Sequence, residues 1–243
     1  MTTDAASSPS EKRRRGIWTF LRDVLIIIVI AALVSFLVKT FVVRSFYIPS
    51  GSMEKTLLVN DRILVDELTP RWNDYARGDV VVFEDPGGWL GAPAPKEQGP
   101  AILEAIDSFL TLIGLSTSDS EDHLVKRLIG LPGDHVVCCN ALGQIEINGA
   151  PIDELGYLNL PDGDTAASNE PFDVTVPDDS IWVMGDNRDR SQDSRAHIDL
   201  PSGGFVPLDN VVGRAFVLTW PLNRIGGIDA HHEIFNGVPD AEE

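Results

Sequence analysis

Residues 123–130 read HLVKRLIG, a short apolar run with a lysine and an arginine at its centre. Such a run, bounded by turn-forming residues, predicts a β-strand. Because side chains alternate across a strand, Leu124, Lys126 and Leu128 share one face. Burial of that face would lower the Lys126 pKa by desolvation and supply the neutral amine that a general base requires. An edge strand whose lysine reaches solvent fits the pattern equally well.

Similar β-rich runs occur on both sides of this one along the chain. Clusters of Gly, Pro, Asn and Asp separate them, which favours an all-β or mainly β domain. The runs are RILVDEL at 62–68, GDVVVFED at 78–85, DHVVCCN at 134–140, QIEING at 144–149, DSIWVMG at 179–185 and VVGRAFVLTW at 211–220.

An insertion at about residues 86–121 interrupts the series of strands. Residues 86–100 are rich in Pro and Gly and predict a loop. Apolar residues at helical spacing then predict an amphipathic helix over residues 99–114. This helix would pack against the sheet or lie on a membrane surface, although it lacks the basic residues of an interfacial helix. Its apolar positions are Ile102, Leu103, Ile106, Phe109, Leu110 and Ile113.

The amino-terminal part of the chain predicts a single membrane span. The basic cluster KRRR at 12–15 precedes an apolar segment from Val24 to Val43. That segment is long enough for a helix of ~30 Å to cross a bilayer core. The positive-inside bias then places the amino terminus in the cytoplasm. A secretory signal peptide and a buried core helix are the alternatives, but we see neither an obvious cleavage site nor a polar face.

These features predict three parts, namely a cytoplasmic basic tail at 1–16, a transmembrane anchor at 17–43 and an extracytoplasmic domain at 44–243. We expect a single-pass protein of the plasma membrane, with the lipid bilayer as one partner. The formal net charge is −18, and residues 1–44 hold seven basic and three acidic residues, which leaves −22 for the rest. A domain this acidic repels nucleic acid, so we exclude nucleic acid as a partner.

The chain has two cysteines, the adjacent Cys138 and Cys139. Neighbouring Cα atoms lie ~3.8 Å apart across a trans peptide, which is below the ~4.4–6.8 Å usual for a disulfide. We therefore expect two small packed residues without a disulfide. A structural metal site is not expected either, because no Cys/His ligand spacing occurs.

A serine-containing turn, PSGSM at 49–53, follows the predicted span directly. The Ser52 hydroxyl is a poor nucleophile unless a base activates it. None of the five histidines lies in a local motif of serine proteases, although a distant triad can still assemble in space. A Ser–Lys pair is a known variant, and Lys126 is a lysine within an apolar strand.

A polar loop, GDNRDRSQDSR at 185–195, follows another predicted strand. The loop could be a solvated surface turn with weak ion pairs. A loop attached to a rigid strand is also a frequent position for functional groups.

Four segments in order, PSGSM, GDVVVF, KRLIGLPGD and GDNRDRSQDSR, resemble the motifs of bacterial type I signal peptidases. The resemblance covers about residues 40–90 and 121–222 and excludes the insertion. It implies a mainly β, signal-peptidase-like catalytic domain, related to the fold of self-cleaving repressors, beside the predicted transmembrane helix and inserted amphipathic helix. It also implies signal-peptide-bearing preproteins as substrates and no metal or cofactor.

The resemblance assigns roles to individual residues. Ser52 would be the nucleophile and Lys126 the general base, while Ser50 and the Ser52 N–H would form the oxyanion hole. Ser191 would hydrogen-bond and orient the lysine. The remaining matches are Asp193 and Arg195 as a supporting ion pair, Asp186 and Asn187 in the turn of the loop, and Ile48 and Val125 in pockets for small substrate side chains. Arg190 departs from the family pattern, which often has asparagine there.

Two other functions share part of this pattern. Self-cleaving repressors also use a Ser/Lys dyad, but they need a DNA-binding domain, which the anchor and the acidic body disfavour. A membrane-tethered binding module without activity is the second alternative, and the intact set of Ser50, Ser52, Lys126 and Ser191 disfavours it.

Overall fold

The computed structural model describes residues 18–31, 43–68, 74–91, 122–161 and 163–241. Residues 18–31 form a helix, and the chain from Val43 onward forms a separate compact unit. None of the helices described is both long and apolar enough to span a membrane. The predicted tail at 1–16, the predicted helix at 99–114 and residues 32–42 of the predicted anchor lie outside the described residues.

The unit from Val43 onward is mainly β, as the sequence predicts. Short 3₁₀ helices join several of its strands, and the strands are numbered here in chain order. They are β1 Val43–Tyr47, β2 Arg62–Asp66, β3 Val80–Glu84, β4 His123–Gly130, β5 His135–Cys138, β6 Ile145–Ile147, β7 Ala150–Pro151, β8 Phe172–Thr175, β9 Ser180–Met184, β10 Val206–Pro207, β11 Val211–Trp220 and β12 Gly226–Gly227.

The strands form two antiparallel sheets. The larger sheet has the order β1-β2-β11-β3-β4-β9-β10, with β12 beside β11, and the smaller one has the order β7-β6-β5-β8. In the larger sheet, β3 pairs with the whole first half of β4, with Val81 opposite Lys126. On the other side of β4, pairing with β9 begins at Arg127. Among the described strands, therefore, none pairs with residues 123–126 on that side.

Three apolar clusters form the core. The cluster under β1 and the turn that follows it includes Phe46, Ile48, Met53 and Leu57. A second cluster, on the other face of β3 and β4, includes Phe83, Leu124 and Leu128. The third lies between the smaller sheet and β9, around the fully buried Trp182. Apolar clusters therefore cover both faces of β4, and its two central polar residues, Lys126 and Arg127, are buried.

The structure corrects the prediction for the two cysteines. Cys138 and Cys139 are joined by a disulfide, and the peptide bond between them is cis. The prediction assumed a trans peptide, whereas the Cα atoms here lie 3.0 Å apart. Cys138 is buried in the core cluster of the smaller sheet, as expected, and Cys139 packs against that cluster.

The core around Trp182 leads to a stability prediction. Its ring contacts Phe172 and Phe205 at centroid distances of 5.3 and 5.4 Å. We expect Trp182→Ala to lower the free energy of unfolding by about 3–5 kcal/mol, because the cavity cannot collapse fully. Trp220, which is 49% exposed, is the matched control. Urea unfolding of the full chain, followed by far-UV circular dichroism, measures both variants. Equal losses for Trp182→Ala and Trp220→Ala would contradict this account.

Candidate active site

The turn after β1 holds Ser52 in a fixed position. Hydrogen bonds from the Glu54 N–H to the Gly51 carbonyl (3.2 Å) and from the Leu57 N–H to the Met53 carbonyl (2.7 Å) close the turn. The side chains of Met53 and Leu57 are buried in the cluster beneath it. Ser52 itself is buried, at 6% exposure, so bulk water has little access to its hydroxyl.

Lys126 lies beside this hydroxyl. Its Nζ donates hydrogen bonds to Ser52 Oγ at 2.9 Å and to the Val125 carbonyl at 3.1 Å. The side chain is buried, and burial lowers the pKa of the amine from 10.5 to about 8, against the opposing charges of Asp193 and Asp186. A neutral amine can accept a proton from the serine hydroxyl. Of the two interpretations left open by the sequence, the structure has the buried lysine and not the solvent-exposed one.

Ser50 places a second hydroxyl close to that of Ser52. Its Oγ lies 3.4 Å from Ser52 Oγ, and its side chain is at the exposed side of the turn. If Ser52 attacks a carbonyl group, the carbonyl oxygen becomes negatively charged, and the Ser50 hydroxyl can donate a hydrogen bond to it.

Ser191 is brought to the centre but does not make its predicted hydrogen bond. Its Oγ is buried and forms no well-aligned hydrogen bond to a described residue. The hydrogen bonds of Lys126 Nζ go instead to Ser52 and to the Val125 carbonyl. Ser191 packs closely against Gly185, which also faces the Ser52 carbonyl. In this structure Ser191 is therefore a close neighbour of Ser52 and not a hydrogen-bond partner of Lys126.

Asp193 and Arg195 form a buried ion pair that supports the loop. Arg195 donates from Nε to Asp193 Oδ1 at 2.9 Å and from Nη2 to Oδ2 at 2.8 Å, and the Gly185 N–H donates to Oδ2 at 2.9 Å. Burial alone would raise the Asp193 pKa, but these bonds and the arginine charge hold it below its usual range. The carboxylate close to Lys126 thus remains ionised and paired.

Asp186 and Asn187 do more than form a turn. The Asn187 N–H donates to the Ser52 carbonyl at 3.0 Å, and its side-chain amide donates to Glu54 at 2.9 Å. Asp186 accepts two hydrogen bonds of 2.8 Å from the buried guanidinium of Arg127. It also accepts one from the Thr56 hydroxyl at 2.5 Å. The polar loop is therefore bonded to both the nucleophile turn and β4.

Sequence analysis missed Arg127, Glu54, Thr56 and a second buried ion pair. In that pair, Arg188 donates to Glu154 at 2.6 Å and to the Gly185 carbonyl at 3.0 Å. A signal for Arg127 was present, since an arginine in the middle of an apolar strand needs a buried partner. No local pattern pointed to Glu154, because its partner is 34 residues away along the chain.

The two expected pocket residues lie on the same apolar cluster. Ile48 is buried and Val125 is partly buried against the cluster that contains Phe46 and Met53. Both side chains are aliphatic and each is adjacent in sequence to a motif residue of the site, Ile48 to the PSGSM turn and Val125 to Lys126.

One group of possible metal ligands occurs in the described part of the chain. Asp229, His231 and Glu233 place ligand atoms within 4.8 Å of one another. Both carboxylates are exposed, and acidic surface groups of this kind are common without an ion. We assign no metal to them.

The chain is similar to proteins of known family. A family model described as "Signal peptidase, peptidase S26" matches residues 21–220. The "Probable signal peptidase I" of Mycobacterium leprae is 36% identical over 249 residues, covering 93% of this chain and 84% of that protein. The "Signal peptidase I" of Mycobacterium tuberculosis is 37% identical over 240 residues, covering 92% and 80%. That of Leptolyngbya laminosa is 36% identical over 189 residues, covering 78% and 74%.

The close packing at Gly185 gives a prediction. A Cβ at this position would overlap Ser191 Oγ and lie 2.5 Å from the Ser52 carbonyl oxygen. We expect Gly185→Ala to displace Ser52 and reduce kcat/KM for peptide cleavage by about 100-fold, because small misplacements of a reacting group are costly. Gly156→Ala is the matched control, since its added Cβ would meet nothing within 4 Å. Equal activity of the two folded variants would show that the packing does not position Ser52.

Proposed function

The chain belongs to the signal peptidase family, peptidase S26, and from this premise we propose that it removes signal peptides from exported preproteins with a Ser52–Lys126 dyad. As a member of this family the protein is a serine peptidase. The observation that carries the dyad is the 2.9 Å hydrogen bond between the buried Lys126 amine and the Ser52 hydroxyl.

In the first step the Ser52 oxygen attacks the carbonyl carbon of the scissile peptide bond. Burial lowers the pKa of Lys126 Nζ to about 8 and so increases its neutral fraction. The neutral amine accepts the hydroxyl proton and becomes an ammonium. The carbonyl oxygen becomes an oxyanion, and the Ser52 N–H and the Ser50 hydroxyl donate hydrogen bonds to it. Preorganised donors of this kind stabilise the charge that develops in the transition state.

Collapse of the tetrahedral intermediate breaks the peptide C–N bond. The Lys126 ammonium gives its proton to the leaving amine, which departs as the new amino terminus of the mature protein. The signal peptide remains as an ester on Ser52. A water molecule then attacks this ester while Lys126 accepts its proton, and the ammonium returns the proton to Ser52 Oγ as the acid product leaves.

The substrate would bind as an extended strand along β4. Residues 123–126 of β4 have no described strand on the side away from β3, so their backbone groups can pair with a substrate backbone. Small side chains at the first and third positions before the cut would contact the wall formed by Ile48 and Val125.

The anchor proposed at residues 17–43 would place this site next to its substrates. The apolar segment of a preprotein signal lies in the same bilayer as the anchor. Confining both partners to one membrane raises their effective concentration. On this proposal the amino terminus is cytoplasmic and the catalytic domain lies outside the plasma membrane.

The dyad predicts a specific pH dependence. Protonated Lys126 cannot accept the serine proton, so kcat/KM for preprotein cleavage should rise with pH and level off above about pH 8. Ser52→Ala and Lys126→Met should both abolish cleavage. Lys55→Met is the matched control, because Lys55 lies at the surface and donates to the Leu155 and Leu158 carbonyls. It should keep the same apparent pKa. Cleavage that persists in either dyad variant would rule out this chemistry.

The oxyanion hole gives a separate prediction. Ser50→Ala removes one donor to the oxyanion, so we expect kcat to fall by about 100- to 1,000-fold with little change in KM. Ser45→Ala, at an exposed position of β1, serves as the control. A Ser50→Ala enzyme with normal kcat would show that the Ser50 hydroxyl does not stabilise the oxyanion.

A further inference from the structure

A partly buried imidazole lies three residues before Lys126 on β4 and has no part in the mechanism above. His123 begins β4, and its ring centroid lies 5.1 Å from that of Phe46 in β1. Both ring nitrogens are buried, and neither has a hydrogen-bond partner among the described residues. A buried polar group without a partner costs stability, so its retention calls for an explanation.

The position of His123 is along the path proposed for the substrate. It is opposite Glu84 on the β3 side and precedes the first residue that pairs with β9, which is Arg127. Its contact with Phe46 places it next to β1, the terminal strand of the larger sheet. The imidazole thus lies at the start of the stretch of β4 that is unpaired on one side, in contact with a side chain of β1.

The register along β4 indicates which substrate residue would meet it. His123 and Val125 share a face of the strand, and Val125 belongs to the wall proposed for side chains before the cut. A paired substrate advances by one residue for each residue of β4. If the substrate runs parallel to β4 and the first residue before the cut lies beside Val125, the third lies beside His123, with the fourth next to it.

We propose that His123 is a specificity-determining residue that hydrogen-bonds a hydroxyl or amide side chain at the third or fourth residue before the cut. This inference rests on the proposed function. Phe46 contacts the imidazole and Val125 shares its face of β4, so His123 is the polar group on this face that a polar substrate side chain would meet. An apolar side chain of the same size leaves the imidazole unpaired and loses that contact.

The test uses the full chain in detergent micelles and two pairs of signal-peptide substrates. One pair differs by Ser against Ala at the third residue before the cut, and the other by Thr against Val at the fourth. For one of the pairs we expect kcat/KM to be roughly three- to tenfold higher for the hydroxyl substrate, as one net hydrogen bond would give.

The variants assign this preference to the imidazole. His123→Phe keeps an aromatic ring against Phe46 and should bring the ratio close to 1, whereas His123→Gln keeps a donor and an acceptor and should retain part of it. His135→Phe is the matched control and should leave the ratio unchanged, because His135 pairs with Asp173 on the smaller sheet.

Two results would overturn the inference. One is equal cleavage of both members of each pair by the wild-type enzyme, a result that does not depend on the folding of any variant. The other is a preference that persists in His123→Phe. Failure of the wild type to cleave any of these peptides or a full preprotein would instead contradict the proposed function.

Discussion

The site depends on a desolvated amine held in the protein interior beside a serine hydroxyl. Desolvation disfavours the ammonium form of Lys126 Nζ, and it acts against two nearby carboxylates, Asp193 and Asp186. Left unpaired, those carboxylates would favour the ammonium form more strongly. Each is instead paired with an arginine, Arg195 and Arg127 respectively. Lowering the lysine pKa from 10.5 to about 8 increases the neutral fraction at pH 7 on the order of 100-fold.

The fold brings these groups together from three separated segments. β4 carries Lys126 and Arg127 on consecutive residues, so one faces the nucleophile and the next faces Asp186. The polar loop after β9 is bonded to the nucleophile turn through the Asn187 N–H and the Ser52 carbonyl. Gly185 allows these segments to approach within a distance that a side chain would prevent. The geometry of the Ser52–Lys126 pair is therefore a property of the packed sheet and not of any single loop.

Much of the fold could be predicted from local patterns. The runs at 62–68, 78–85 and 211–220 contain β2, β3 and β11, because alternating apolar residues and flanking turns mark strands of a half-buried sheet. Short strands such as β7, β10 and β12 were missed, since two residues carry no periodicity. Their pairing is fixed by longer neighbours in the sheet.

The site was less predictable from residues alone. The sequence pattern around Lys126 fits both a buried and a solvent-exposed lysine, and only the family resemblance pairs it with Ser52. The partners of Arg127 and Arg188 could not be found, because Asp186 is 59 and Glu154 is 34 residues distant along the chain. The cysteine prediction was wrong because it assumed a trans peptide between Cys138 and Cys139.

The most direct test of this account is the pKa of the Lys126 amine itself. The full chain, labelled with lysine carrying ¹³C at Cε and held in detergent micelles, can be titrated by NMR, with Lys126→Met identifying the signal. The account predicts that the Lys126 signal titrates near pH 8, well below the other lysines. Titration near 10.5 would show that burial does not lower this pKa; less than about one thousandth of the amine would then be neutral at pH 7, which would contradict its role as the base.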